Sequence, residues 1–235
     1  MKKNVLLLIL VSLILVFSLA AFSVLLLGYA NKLLAKLGVR ELKPKTSLGV
    51  SAWKNCLKKL NYDADVAFLG DSLTRDSDFQ KAFPNQRIVN LGYSGDTLLG
   101  MTQRIPMLQA VSPEKVFVLG GINGLTDHNL EMSLKQYDTL LSTMKESLPE
   151  ADIYVQSVLP LSKEKERSLF CHNNTIQAFN EQLKKIAEQY QLTYIDLFSS
   201  FVKDGHIQPD LTVDGVHLTA AGYKMWTDGV SKYLL

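Results

Sequence analysis

Short apolar runs alternate along the chain with longer stretches in which apolar residues recur every third or fourth position. The runs at 66–69, 87–90, 115–119, 153–158 and 192–195 are bounded by turn-forming or polar residues and read as strands. Val66-Ala67-Phe68-Leu69 and Val116-Phe117-Val118-Leu119 lack polar alternation, which is the composition of strands covered on both faces. Helices are predicted near 97–110, 131–147 and 173–189, with another after Thr219. In the third of these, Ile176, Phe179, Leu183 and Ile186 fall at spacings of three or four, so one side is apolar. Strand–helix alternation predicts a three-layer α/β/α sandwich with a mostly parallel five-stranded sheet. Substrates of such sheets meet the loops at the carboxyl ends of strands. The segments 70–74, 92–97 and 120–123 each follow a predicted strand and are expected to converge there.

A different pattern opens the chain. Residues 5–29 carry no charge and are dominated by Leu, Val and Ile. At roughly 1.5 Å per residue, a helix of that length reaches about 37 Å, enough to cross a hydrocarbon layer of roughly 30 Å with some tilt. The expectation is one transmembrane helix. Residues 1–30 would be a short cytoplasmic tail and signal anchor, 31–49 a basic tether, and 50–235 the folded domain. The run exceeds an ordinary signal-peptide core, which favours retention, although Gly28 and Ala30 leave open cleavage and secretion. Lys2 and Lys3 precede the span, while Lys32, Lys36, Arg40, Lys43 and Lys45 follow it, so the positive-inside rule is divided. The shortness of the amino tail favours a single-pass protein of the cell membrane with its domain outside.

Charge narrows the partners. The 25 Lys and Arg against 23 Asp and Glu give a formal net charge of +2. Beyond residue 30 the two signs balance, which argues against a broadly basic nucleic-acid domain. Cys56 and Cys171 are far apart and make no short metal-ligand pattern.

Chemistry concentrates in a few segments. Phe68-Leu69-Gly70-Asp71-Ser72-Leu73-Thr74 runs from a buried strand into a turn, which sets Ser72 on the rim. A serine hydroxyl there attacks an acyl carbonyl if a histidine takes its proton; as plain structure, Ser72 is a turn or helix cap. Asp214-Gly215-Val216-His217 supplies an acid three residues before an imidazole, and His128, His172 and His206 lack that pairing. A carboxylate so placed orients the ring and stabilises its protonated form; the same segment also reads as a helix start capped by Thr219. Gly95 and Asn123, in the second and third loops, are candidate oxyanion donors beside the Ser72 N–H. They read equally as turn residues. Leu98, Leu99 and Met101 are candidates for an acyl pocket or for core.

These blocks resemble the SGNH hydrolase superfamily, also called the GDSL esterase and lipase family. Gly70-Asp71-Ser72-Leu73 is similar to its first block, Gly95 to its second-block glycine, Gly121-Ile122-Asn123 to its third block, and Asp214-Gly215-Val216-His217 to its last. The resemblance implies a Ser72, Asp214, His217 triad, an oxyanion hole from Ser72, Gly95 and Asn123, and ester hydrolysis through an acyl-serine with neither metal nor cofactor. One departure is Gly124, where the third block often continues with Asp. Within the family, the segments 90–97 and 156–160 look similar to members related to platelet-activating-factor acetylhydrolase, which implies a small acyl group.

The expected function is a membrane-anchored extracytoplasmic serine esterase acting on acetyl or other short acyl groups of a lipid or cell-envelope glycan. Its expected partners are an ester substrate and, through residues 5–29, the lipid bilayer. An acyltransferase using the same acyl-serine, and a noncatalytic envelope-binding module, are the alternatives.

Overall fold

The structure, a computed structural model, describes residues 63–234. Five strands, β1 (Val66–Gly70), β2 (Ile88–Gly92), β3 (Lys115–Leu119), β4 (Asp152–Gln156) and β5 (Thr193–Ile195), pair in the order β2-β1-β3-β4-β5. Every pairing is parallel. The longer helices are α3 (Leu98–Val111), α4 (Leu130–Ser147), α6 (Asn173–Gln189) and α8 (Ala220–Ser231). Shorter ones are α1 (Ser72–Arg75), α2 (Phe79–Ala82), α5 (Lys163–Leu169) and α7 (Phe198–Phe201). A small antiparallel hairpin, β6 (Val202–Lys203) with β7 (His206–Ile207), and a 3-10 turn at Pro209–Leu211 precede α8.

Alternation within the strands builds two cores. Ala67, Leu69, Val116, Val118, Ile153 and Val155 face α3, α4 and α6, where Met101, Leu108, Leu140, Phe179 and Leu183 pack against them. Val66, Phe68, Phe117 and Leu119 face the other way, toward Phe79 of α2, Phe201 of α7 and Trp226 of α8. On that second face aromatic rings stack across the sheet, Phe68 on Phe79 at 3.6 Å and on Phe117 at 4.9 Å, and Phe117 on Tyr154 at 4.5 Å. The central strands have no polar alternation because helices cover both faces.

Register positions the site. Gly70 lies opposite Gly92 on one side and Leu119 on the other, so three strands end at the same level. The chain leaves β1 toward one edge and returns through β3 on the opposite side, which makes the gap between β1 and β3 the topological switch point. The strand β4 stops at Gln156, short of the predicted 158, because side chains replace the ladder. Asn180 exchanges two bonds of 2.9 Å with Val158, and Ser157 Oγ accepts the N–H groups of Leu197 and Phe198.

The segment 5–29 lies outside the described residues, as do the tether at 31–49 and Cys56. Among the described residues no helix is long and apolar enough to cross a membrane. The fold described is an α/β sandwich with a parallel five-stranded sheet, without the transmembrane helix expected from hydropathy. Membrane anchoring, single-pass placement and bilayer contact therefore find no support among the described residues.

Candidate active site

The turn after β1 is fixed by its own acid. Asp71 caps α1, its Oδ1 accepting the Leu73 N–H at 3.0 Å, and this lifts Ser72 to the helix start. Burial pushes the Asp71 carboxyl up to about 7; the Leu73 N–H opposes that shift, and the Asp96 charge adds to it. The Ser72 side chain meets a residue 145 positions away, with Oγ 3.1 Å from His217 Nε2.

His217 is presented by a short closed loop. Thr212 bridges Leu218 in antiparallel fashion, Val213 N–H donates to the His217 carbonyl at 2.8 Å, and Thr212 Oγ1 donates to the same carbonyl. Inside the loop, Asp214 Oδ1 accepts the N–H groups of Val216 and His217 at 3.0 and 2.8 Å, while its Oδ2 lies 2.9 Å from His217 Nδ1. An ionised carboxylate only accepts, so the ring proton sits on Nδ1 and Nε2 is left to accept from Ser72. Burial raises the Asp214 carboxyl, but the hydrogen bonds from the His217 ring and the two backbone amides outweigh it and bring the group down to about 2. Lys165 Nζ stands 3.8 Å from Asp214 Oδ2, the oxygen that also faces His217 Nδ1. The loop needs its glycine. Gly215 has φ +88°, and a Cβ there would lie 2.3 Å from Ser162 Oγ.

The second and third loops meet beside Ser72. Gly95 has φ +68°, a left-handed conformation that closes the turn in which Asp96 N–H donates to the Tyr93 carbonyl at 3.1 Å. Asn123 Nδ2 donates to the Asp96 carbonyl at 2.9 Å and makes a long contact of 3.4 Å with Asp71 Oδ2. Its amide therefore links the third loop to the other two. Where the familiar acid is replaced by Gly124, Asn129 holds the loop instead. Its Nδ2 donates to the Gly124 carbonyl and its Oδ1 accepts the Thr126 N–H, both at 2.7 Å.

The candidate acyl-pocket residues are placed differently. Leu98 and Met101 are buried in the core, with the Met101 thioether packed under Gly120, and Leu99 is half-buried. A small apolar cavity of about 10 Å³, the room of roughly one water, has Leu73, Ile122, Val158, Leu161 and Val216 in its lining. Three of these flank Ser72, Asn123 and His217 in sequence. A larger groove of about 550 Å³, between α6, β5 and α7, contains none of the site residues.

Sequence reasoning missed Asn129 and Arg104. Arg104 carried a usable signal, because the helical period of Met101, Ile105 and Leu108 places it on the buried stripe of α3. Among the described residues no group of three or more His, Cys, Asp or Glu side chains is gathered to hold a metal ion.

A parallel sheet whose switch point presents a serine, a histidine–aspartate pair and an adjoining amide has the construction of a serine hydrolase. The chain matches the GDSL-like Lipase/Acylhydrolase family over residues 68–225, more than half its length, and belongs to that family of serine ester hydrolases. A protein of Streptococcus pneumonia whose name refers to platelet activating factor has the same fold, with a TM-score of 0.69 and 22% identity, covering 79% of this chain and 92% of that one. A GDSL-like lipase of Bacteroides thetaiotaomicron gives a TM-score of 0.66 at 19% identity, covering 79% and 98%. An acetylxylan esterase of Geobacillus stearothermophilus gives 0.56 at 19%, covering 73% and 94%. An N-acylneuraminate cytidylyltransferase of Streptococcus agalactiae is 26% identical over 160 residues, 68% of this chain. The match spans only 36% of that relative's length.

Proposed function

We propose that the protein is an esterase that removes acetyl or similarly short acyl groups from a sugar-like alcohol through an acyl-serine at Ser72. The observation that carries the reading is the unbroken chain from Ser72 Oγ to His217 Nε2 at 3.1 Å and from His217 Nδ1 to Asp214 Oδ2 at 2.9 Å. His217 takes the Ser72 proton as Oγ adds to the ester carbonyl, and Asp214 stabilises the imidazolium that forms. The Ser72 and Gly95 N–H groups and the Asn123 amide receive the negative oxygen. Asn123 has capacity for this, because only one of its two amide protons is committed to a short bond, and the 3.4 Å contact with Asp71 is weak. Collapse expels the alcohol with the proton from His217, and water repeats the sequence to release the acid.

The short acyl group rests on the small apolar cavity lined by Leu73, Ile122 and Val216, the chain neighbours of Ser72, Asn123 and His217, whose volume of about 10 Å³ suits a methyl group better than a chain. The sugar-like alcohol rests on the names of similar proteins, an acetylxylan esterase and a cytidylyltransferase of an acylated sugar acid.

The test uses the purified full chain with a fluorophosphonate probe and a graded series of acyl esters, including acetylated sugars. The expected result is a probe adduct on Ser72, turnover falling steeply from acetyl to butyryl, and no turnover in Ser72→Ala. Asn123→Ala should lower kcat by roughly 100- to 1000-fold, the usual loss for one oxyanion donor. An adduct on another serine, or turnover that rises with acyl length, overturns the reading.

A further inference from the structure

Arg104 stands on α3, in a position that packing would ordinarily give to an apolar side chain. It is 4% exposed, and its partner Asp96 is 1% exposed. A buried ion pair is weak evidence for stability, because removing two charges from water costs about what their attraction returns. The geometry of this one is informative for another reason. Arg104 Nε donates to Asp96 Oδ2 at 2.8 Å, Nη2 donates to the Gly70 carbonyl at 2.9 Å, and Nη1 donates to the Leu91 carbonyl. One planar cation thus holds the last residue of β1, the penultimate residue of β2 and Asp96, which ends the turn that Gly95 closes.

Two of those attachments, at Gly70 and at Asp96, lead directly to the oxyanion donors. Ser72 lies two residues beyond Gly70, and the Gly70 carbonyl also accepts the Tyr93 N–H at 3.0 Å, which ties the second loop to the first. Gly95 immediately precedes Asp96. Asn123 donates to the Asp96 backbone carbonyl at 2.9 Å, so the third donor hangs from the same residue that Arg104 grips by its side chain. Helix α3 itself begins one residue after Thr97, whose hydroxyl caps it by accepting the Gly100 N–H. The cation and the turn it holds are therefore mounted on one rigid element.

We propose that Arg104 is a positioning residue of the oxyanion pocket, fixing the mutual placement of the Ser72, Gly95 and Asn123 donors from a single buried guanidinium. This inference rests on the assignment of those donors made above. Arginine is suited to the task because its fork of N–H groups is planar and reaches three acceptors in fixed directions. Lysine keeps the charge opposite Asp96 but offers a point donor on a flexible stem. Donor misplacement of about 1 Å is enough to cost roughly 100-fold in rate. Because the negative oxygen exists only in the transition state, that loss belongs in kcat and not in KM.

The test compares the full chain with Arg104→Lys, Asn123→Ala and the double variant. Circular dichroism and a thermal midpoint verify folding, and kcat and KM are measured on the best acetyl ester. Arg104→Lys is expected to lower kcat by about 100-fold with KM within about threefold. The double variant should lose much less than the product of the two single losses, because both act on one donor set. If Arg104→Lys fails to fold, the pair Asp96→Asn/Arg104→Gln leaves no charge unmatched and carries the same comparison. Unchanged kcat in a folded variant, or losses that multiply, overturns the positioning role. Fluorophosphonate labelling of the wild type separates the two levels. Absence of an adduct on Ser72 removes the donor assignment itself, and an adduct with full Arg104→Lys turnover removes only the role of Arg104.

Discussion

Asp71 is the residue whose ionisation sits least comfortably in this structure. It is fully buried beside Ser72, and burial lifts its carboxyl from 3.8 to about 7. The folded chain then holds that proton more tightly than the unfolded chain between about pH 4 and pH 7. Stability from this group is full below that window and declines as pH rises through it. Asp71→Asn keeps an oxygen for the Leu73 N–H and removes the titration. Urea midpoints of wild type and variant should therefore diverge in favour of the variant as pH rises from 4 to 7. A difference independent of pH would show that Asp71 does not titrate there. Asp214 behaves oppositely. Its carboxyl lies near 2, so whatever it contributes is present above 3.8 and is lost only as pH falls toward 2. Replacing it as Asp214→Asn should leave the fold intact at neutral pH, since the group is partly exposed, and should depress kcat by leaving the His217 ring without its acceptor. Wild-type turnover in the folded variant would remove Asp214 from the mechanism.

Among the elements, β1 bears the most. All five of its residues are buried, and Phe68 stacks on both Phe79 and Phe117. Phe68→Ala should cost about 3–5 kcal/mol, measured by denaturant unfolding, because packing on both sides prevents the gap from closing. A loss below about 1 kcal/mol would mean that the aromatic stack relaxes freely. The same burial explains why this strand was legible in sequence. Unbroken apolar runs bounded by turns identified β1 and β3, and the three- and four-residue spacing of Ile176, Phe179, Leu183 and Ile186 identified α6. The shorter elements were not legible. Helices such as α1, α2 and α7 have four residues each, too few to show a period; Asp71 and Asp78 cap the first two, while α7 is held by Ser157 Oγ and by the core that Phe201 joins. At the site, Ser72, His217 and Asp214 could be singled out because the spacing of acid and imidazole is local. Asn129 escaped because it holds its loop through the backbone of Gly124 and Thr126, which leaves no trace in side-chain patterns, and Arg104 left only its place on the buried stripe of α3, since its partners lie outside that helix. For Leu98, Leu99 and Met101 the sequence left acyl pocket and core as equal readings. Leu98 and Met101 sit on the inner stripe of α3, and no sequence signal separates an inner stripe from a pocket wall.

At the scale of the molecule, the two cores lie on opposite faces of the same sheet and share β1 and β3. Neither face can open without exposing the back of the other. Unfolding is expected to be a single transition, with near-ultraviolet and far-ultraviolet circular dichroism giving coincident midpoints. Separate midpoints would show that the helices of one face detach first. The common level at which β1, β2 and β3 end has a further consequence for how the protein comes into being. Ser72 and His217 are 145 residues apart, and Gly95 and Asn123 are delivered by separate strand ends between them. The reacting constellation is therefore absent from every intermediate that lacks the last loop, however much helix it contains. Closing so long a loop carries an entropic cost that local contacts do not repay, so it belongs late on the folding path. In a refolding experiment, helical signal should return before ester turnover does. Enzyme activity here works as a clock for the arrival of the carboxyl-terminal segment, and a chain released before residue 217 is complete would be folded in part and catalytically silent.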